Sequence, residues 1–167
     1  GITFNVYGED EAEERLIPFD LMPRIIDSKE WSLIEKGITQ RLIALNMFLE
    51  DIYSKQNIVK ESIIPSKLIN NNAAFLPEMC NFKPPGGIYT HISGIDLVRT
   101  SEKNFFVLED NLRVPSGASY MIENRSTMMH MFPELFTIYN VKPVFNYPDL
   151  LLKSLVKTSK SSTRKPN

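Results

Sequence analysis

Cysteine is nearly absent from this sequence: Cys80 is the only one in 167 residues. One thiol allows no internal disulfide and no Cys-rich zinc site, and it fits a reducing compartment, so a cytoplasmic location is expected. Cys80 itself reads as a small core hydrophobe rather than a nucleophile. Long apolar runs are missing as well. No stretch approaches the about 18 uncharged apolar residues that a membrane-spanning helix needs, so no membrane partner is expected. An excess of charge of one sign is also missing. The 19 Lys and Arg residues stand against 20 Asp and Glu, giving a net charge of -1. That balance, without interleaved aromatics, argues against nucleic acid as a partner. Glycine is scarce, with seven in the chain and no Gly-rich phosphate loop. Histidine is scarcer still, with two: His91 reads as a packed or surface residue rather than a catalytic base, and His130, within Met128-Met129-His130-Met131, as part of a core or partner-facing helix face rather than a metal site.

What is present suits one soluble globular domain. Hydrophobic residues make up 43% of the sequence and charged residues 23%, enough for a sizeable core. Residues 2–7 alternate as a strand does. An acidic run at 9–14 reads as a solvated loop. Pro18 and Pro23 keep residues 15–26 extended. Asp27 then stands as an N-cap before Ser28, Lys29 and Glu30. Trp31, Ile34, Ile38, Leu42, Leu45, Leu49 and Ile52 follow at spacings of three and four. They form one apolar stripe on a helix over about 28–54, expected to be core. Gly37 weakens that helix by about 1 kcal/mol relative to alanine. Asn46 and Asp51 read as polar groups on its surface.

Pro65 opens a short helix over 66–70. Strands are expected over 88–99 and 104–111, joined as a hairpin through residues 100–103. A helix is expected from about 118 to 131, a strand within 134–145, and a short amphipathic helix over 149–156. The last residues, 157–167, are polar and basic and read as a disordered tail. The chain begins already in strand-like alternation, and it reads as a piece of a longer protein.

The chemistry concentrates at the end of the second hairpin strand. The apolar run Phe105-Phe106-Val107-Leu108 stops at Glu109, Asp110, Asn111 and Arg113. If Thr100 faces Phe105, then Asp96 lies across from Glu109. Glu109, Asn111 and Arg113 then share one face, while Asp110 and Leu112 take the other. Opposed carboxylates repel unless something positive sits between them. Hard oxygen ligands of this kind suit Mg²⁺ that shares its shell with phosphates. Arg113 offers a forked contact to a phosphoryl group, and Ser116-Gly117 precedes a helix whose N-terminus offers N–H groups to an anion. A purely structural charge network, with Arg113 neutralising Glu109, is the alternative that these residues leave open.

The strings "GITFNVYG", "IPFDLMPRII", "QRLIALNMFLEDIY", "GIDLVR" and "VLEDNLRVPSGASYMIENR" resemble the bacterial circularly permuted ATP-grasp family, over about residues 1–156. The resemblance implies an α/β (α+β) fold, an ATP-grasp-like mixed or antiparallel sheet flanked by helices. It implies a carboxylate–amine ligase that forms an acylphosphate from ATP. Carried over, Asp96, Glu109 and Asn111 would hold Mg²⁺ against the ATP phosphates. Arg113, Ser116 and Gly117 would contact the transferred phosphoryl group. Arg24 and Arg41 fall on family strings and could reach a cofactor or substrate carboxylate. The substrate would be peptide-like or amino-acid-like. The nucleotide-gripping part is not found within 1–156, so half an active site is expected, with the remaining subdomain in the same or another chain. The alternative is a non-catalytic interaction module that keeps the fold, exposes a large apolar surface and associates with another chain or with itself.

Overall fold

The computed structural model describes residues 3–5, 14–16, 20–101 and 104–158. It is an α+β arrangement of six helices and two antiparallel strand pairs, counted among the described residues. Strands β1 (Thr3–Asn5) and β2 (Glu14–Leu16) pair antiparallel. The acidic run between them lies outside the described residues. Helix α1 (Ser28–Ile52) is the long spine of the molecule. Its start follows from the sequence: Asp27 Oδ1 accepts from the N–H groups of Lys29 and Glu30, each at 2.8 Å, which satisfies two of the orphan donors of the first turn.

The apolar stripe of α1 is buried unevenly. Ile34 and Ile52 are buried, Ile38, Leu42, Leu45 and Leu49 are half-buried, and Trp31 is exposed. The Lys142 ammonium lies 6.0 Å from the centroid of the Trp31 ring, so this end of the stripe meets a cation rather than a core. The sizeable core expected from composition is absent among the described residues. The buried hydrophobics are Ile34, Ile52, Tyr53 and Ile69.

Three of those four form one cluster at the C-terminal end of α1, flanked by half-buried residues such as Phe48, Ile58, Phe75 and Tyr89. Short elements wrap it: α2 (Asn57–Lys60), α3 (Ser66–Asn70) and 3₁₀ turns at Pro77–Met79 and Pro85–Gly87. Tyr53 is its centre. Its ring stacks on Phe75 at 5.1 Å and Tyr89 at 6.2 Å, while its hydroxyl accepts from Leu76 N–H at 3.3 Å. Its carbonyl accepts from Asn81 N–H at 2.7 Å.

Two residues read as surface polar groups are structural. Asp51 accepts from Asn57 N–H (3.0 Å) and Ile58 N–H (2.9 Å), holding the start of α2 from the last turn of α1. Asn46 donates to the Gly87 carbonyl (3.0 Å) and accepts from Tyr89 N–H (2.8 Å). That clamp has a consequence for the expected strand at 88–99. Part of the backbone at 87–89 is satisfied by α1 instead of a neighbouring strand, and β3 (Gly94–Ser101) begins only at Gly94. Cys80, expected in the core, is exposed.

β3 pairs antiparallel with β4 (Asn104–Asn111). Beyond it come α4 (Ala118–Met131), α5 (Pro133–Ile138) and α6 (Tyr147–Thr158). A strand was expected within 134–145, but α5 occupies the beginning of that span. Pro133 sits in the first turn, where its missing N–H costs nothing and its fixed φ suits a helix, and Glu134 complements the helix dipole. Helix α6 reaches Thr158, two residues into the segment read as tail; residues 159–167 lie outside the described residues.

Candidate metal and phosphate site

The site stands on the β3–β4 hairpin, whose register has two irregularities. The observed pairs are Ser101↔Asn104, Arg99↔Phe105, Val98↔Phe106, Leu97↔Val107, Asp96↔Glu109, Ile95↔Asp110 and Gly94↔Asn111. Thr100 does not face Phe105. It is an extra residue on β3 near the tip, and Leu108 is an extra residue on β4 further down. The two insertions cancel, so Asp96 still faces Glu109 although the pairing between them differs from simple alternation. A bulge of this kind bends the strand and re-aims its side chains.

The consequence is a division of faces. Phe105, Val107 and Leu97 are half-buried and line a groove of ≈ 590 Å³ against α1, with Ile34 and Ile38 opposite. Asp96, Glu109 and Asn111 are exposed on the other, outer face together with Val98 and Phe106. Asn111 Nδ2 donates to Glu109 Oε1 at 2.7 Å, which fixes both side chains side by side. Neither Asp96 nor Glu109 enters an ion pair among the described residues.

Two opposed carboxylates and an amide oxygen, with no neutralising Lys or Arg, suit a hard divalent cation such as Mg²⁺. They do not complete its shell. Among the described residues no group of three or more His, Cys, Asp or Glu side chains stands together to hold a metal. A cation here would need phosphate or water oxygens for its remaining positions.

The segment after β4 is held close to the outer face. Thr90 Oγ1 donates toward the Leu112 carbonyl at 3.0 Å. Pro115 packs over Gly94: a Cβ built there would lie 3.1 Å from Pro115 Cβ and 3.5 Å from Asn111 Cβ. Gly94 is therefore a position of close approach between neighbouring backbones. Gly117 takes φ +96° and caps α4 with no side-chain hydrogen bond. Ser116 and Arg113 are exposed just before it. The uncapped first turn of a helix presents N–H groups and a positive dipole end to an anion.

The two other candidate arginines are placed differently. Arg24 is exposed and pairs locally with Asp20 at 3.3 Å. Arg41 lies against the hairpin, but on its α1 side, where Nε and Nη2 bind the two oxygens of Asp110 at 2.7 and 2.5 Å. The Arg41 guanidinium holds the Asp110 carboxyl below the usual carboxylate range, and Asp110 raises the Arg41 pKa in turn. Sequence reasoning placed Asp110 on the opposite face from Glu109 but gave it no partner. His91 is exposed outside β3, and His130 Nδ1 contacts the Ser126 carbonyl of its own helix; among the described residues neither hydrogen-bonds to Asp96, Glu109 or Asn111.

This hairpin, with Asp, then Glu-x-Asn, then a glycine-capped helix, defines a class: an incomplete ATP-grasp-like α+β domain. Over residues 23–167 the sequence matches the family described as circularly permuted ATP-grasp type 2, and the chain belongs to that family. It is 49% identical over 156 residues to uncharacterized protein sll0335 of Synechocystis sp., covering 93% of this chain and 32% of that protein. It is 45% identical to uncharacterized protein ML0605 of Mycobacterium leprae, covering 99% of this chain and 29% of that protein. It is 38% identical to a protein of Frankia casuarinae named putative glutamate--cysteine ligase 2-2, covering 93% of this chain and 18% of that protein. The chain thus spans a third or less of the length of these curated relatives. No helix among the described residues is long and apolar enough to cross a membrane.

Proposed function

We propose that this chain supplies the metal- and phosphate-binding face of an ATP-dependent carboxylate–amine ligase that works through an acylphosphate. The observation that carries the reading is Asp96 directly opposite Glu109, with Asn111 hydrogen-bonded beside them and no basic group paired to either acid among the described residues. In this reading Asp96, Glu109 and Asn111 hold Mg²⁺, which neutralises charge on the transferred phosphoryl group when bound. Arg113 contacts that group or the acylphosphate. Ser116 and the N–H groups behind Gly117 orient it. Their contribution is positioning and charge stabilisation, which dominate phosphoryl transfer. Arg41 is engaged with Asp110 on the other side of the sheet and takes no part in nucleotide contact; Arg24, whose pair with Asp20 is exposed, exchanges that partner for a substrate carboxylate.

Residues 1–156 form the metal- and phosphate-binding part, and the nucleotide-gripping subdomain lies elsewhere in the same or another chain. The fragment alone is inactive, because Mg²⁺ held by two carboxylates and an amide binds weakly without nucleotide phosphates. The name borne by the Frankia relative supports an amino-acid-like or peptide-like substrate. A second reading, a non-catalytic module that associates with another chain, is favoured by the exposed apolar side chains of the outer face, Phe106 at 59% and Leu108 at 71% exposure.

Thermal unfolding of the complete gene product separates the two readings. The ligase reading expects Mg²⁺ and ATP together to raise the melting temperature, by the equivalent of about 2.7 kcal/mol at a hundredfold excess over Kd. Asp96→Ala and Glu109→Ala should each remove the rise. A melting temperature indifferent to Mg²⁺ and ATP, with self-association in sedimentation, would support the module instead.

A further inference from the structure

Glu109, Asp110 and Asn111 are consecutive, yet they are divided between the two faces of the hairpin. The bulge decides which acid goes where. Phe105 and Val107 point toward α1. Had that alternation continued unbroken, Glu109 and Asn111 would also point toward α1, and Asp110 would stand outside. The extra residue Leu108, between the Leu97↔Val107 and Asp96↔Glu109 pairs, inverts the phase. Asp110 then turns inward to Arg41, and Glu109 and Asn111 turn outward to join Asp96.

We propose that Arg41 is a positioning residue for the outer face: its forked contact with Asp110 selects the bulged register and keeps Glu109 off α1. This deepens the reading of the outer face as a Mg²⁺–nucleotide site and rests on it. A one-residue slip moves a strand's side chains to the opposite face. In the slipped strand Glu109 would meet Arg41, and a carboxylate neutralised by a guanidinium is lost to a metal. The two bonds of the fork fix geometry as well as charge, which one ammonium contact does not.

The molecule contains its own control. Arg99 joins the same two elements near the hairpin tip, through Glu30 at 2.6 Å. It tethers β3 to α1 as Arg41 tethers β4, but it lies on the far side of the Leu108 bulge from the acids.

The test compares Arg41→Met, Arg41→Lys and Arg99→Met in the complete gene product. One readout is Mn²⁺ affinity in the presence of ATP. The other is the side-chain amide resonance of Asn111 in metal-free protein, which reports its bond to Glu109. Arg41→Met should weaken Mn²⁺ binding about tenfold or more, the usual cost of losing a partner that orients a metal site, and should move the Asn111 resonance to that of a free amide. Arg99→Met should lower the melting temperature while leaving both readouts unchanged. Should Arg41→Met fail to fold, Arg41→Lys keeps the charge without the fork, and weakened Mn²⁺ binding in a folded protein supports the inference. Wild-type protein that binds no Mn²⁺ with ATP overturns the site reading, and this inference with it. Wild-type binding with an Arg41 variant that keeps both affinity and the Asn111 resonance overturns the positioning role alone, as does an equal loss in Arg99→Met.

Discussion

The C-terminal end of α1 and the outer face of the β3–β4 hairpin are built on opposite terms. Around Tyr53 the chain closes on itself: stacked rings, buried Ile52 and Ile69, a long-range clamp from Asn46 and a local one from Asp51. On the outer face Phe106 and Leu108 stand exposed beside Asp96 and Glu109, two like charges set opposite each other. The first region spends apolar surface on its own stability. The second keeps both apolar and charged groups open, an arrangement that contributes little to folding and is suited to meeting something else.

Three experiments can break or sharpen that contrast, beyond the ligand and register tests above. The largest effect is expected at the closed end. Ile52→Ala should cost about 2–5 kcal/mol, the range for truncating a buried aliphatic, read as a lower denaturant midpoint at unchanged slope. A loss no greater than that of a surface change would mean the cluster is not the stabilising unit.

A smaller effect, confined to acid, is expected at Asp51. Hydrogen bonds from Ile58 and Asn57 N–H hold its pKa below the ordinary 3.8. Its carboxylate therefore contributes stability that is fully present above that value and is lost as pH falls through the folded-state pKa. Asp51→Asn should flatten the acid limb of a stability–pH curve below about pH 4, while leaving its slope at neutral pH alone. An acid limb of unchanged steepness would remove Asp51 from the account.

The smallest effect is expected on the open face. Leu108→Thr should change the stability of this chain by no more than about 0.5 kcal/mol. A loss comparable to that of Ile52→Ala would show that the outer face is covered in solution.

Much of this was legible in order along the chain. Asp27 as N-cap, the span of α1, the short helix at Ser66–Asn70, the strand Asn104–Asn111 and the helix Ala118–Met131 all follow from local spacing and capping chemistry. The Asp96–Glu109 pairing was legible too, although it was reached through a register that is wrong at Thr100. The clamps were not legible. Asn46 and Asp51 look like ordinary polar residues on a helix, because their partners lie in backbone N–H and C=O groups whose positions no side-chain pattern encodes. The expected strand at 134–145 failed for a local reason, since Pro133 starts a helix as readily as it ends one.

By itself the sequence determined most of the elements, the family and the set of oxygen-bearing residues gathered near one strand end, because periodicity, caps and motif strings are local properties. Only the tertiary structure decided which of two neighbouring acids faces outward. That choice depends on one inserted residue in β4 and on an arginine reaching from a helix 69 positions away, and strand alternation alone would have sent Glu109 to the wrong side.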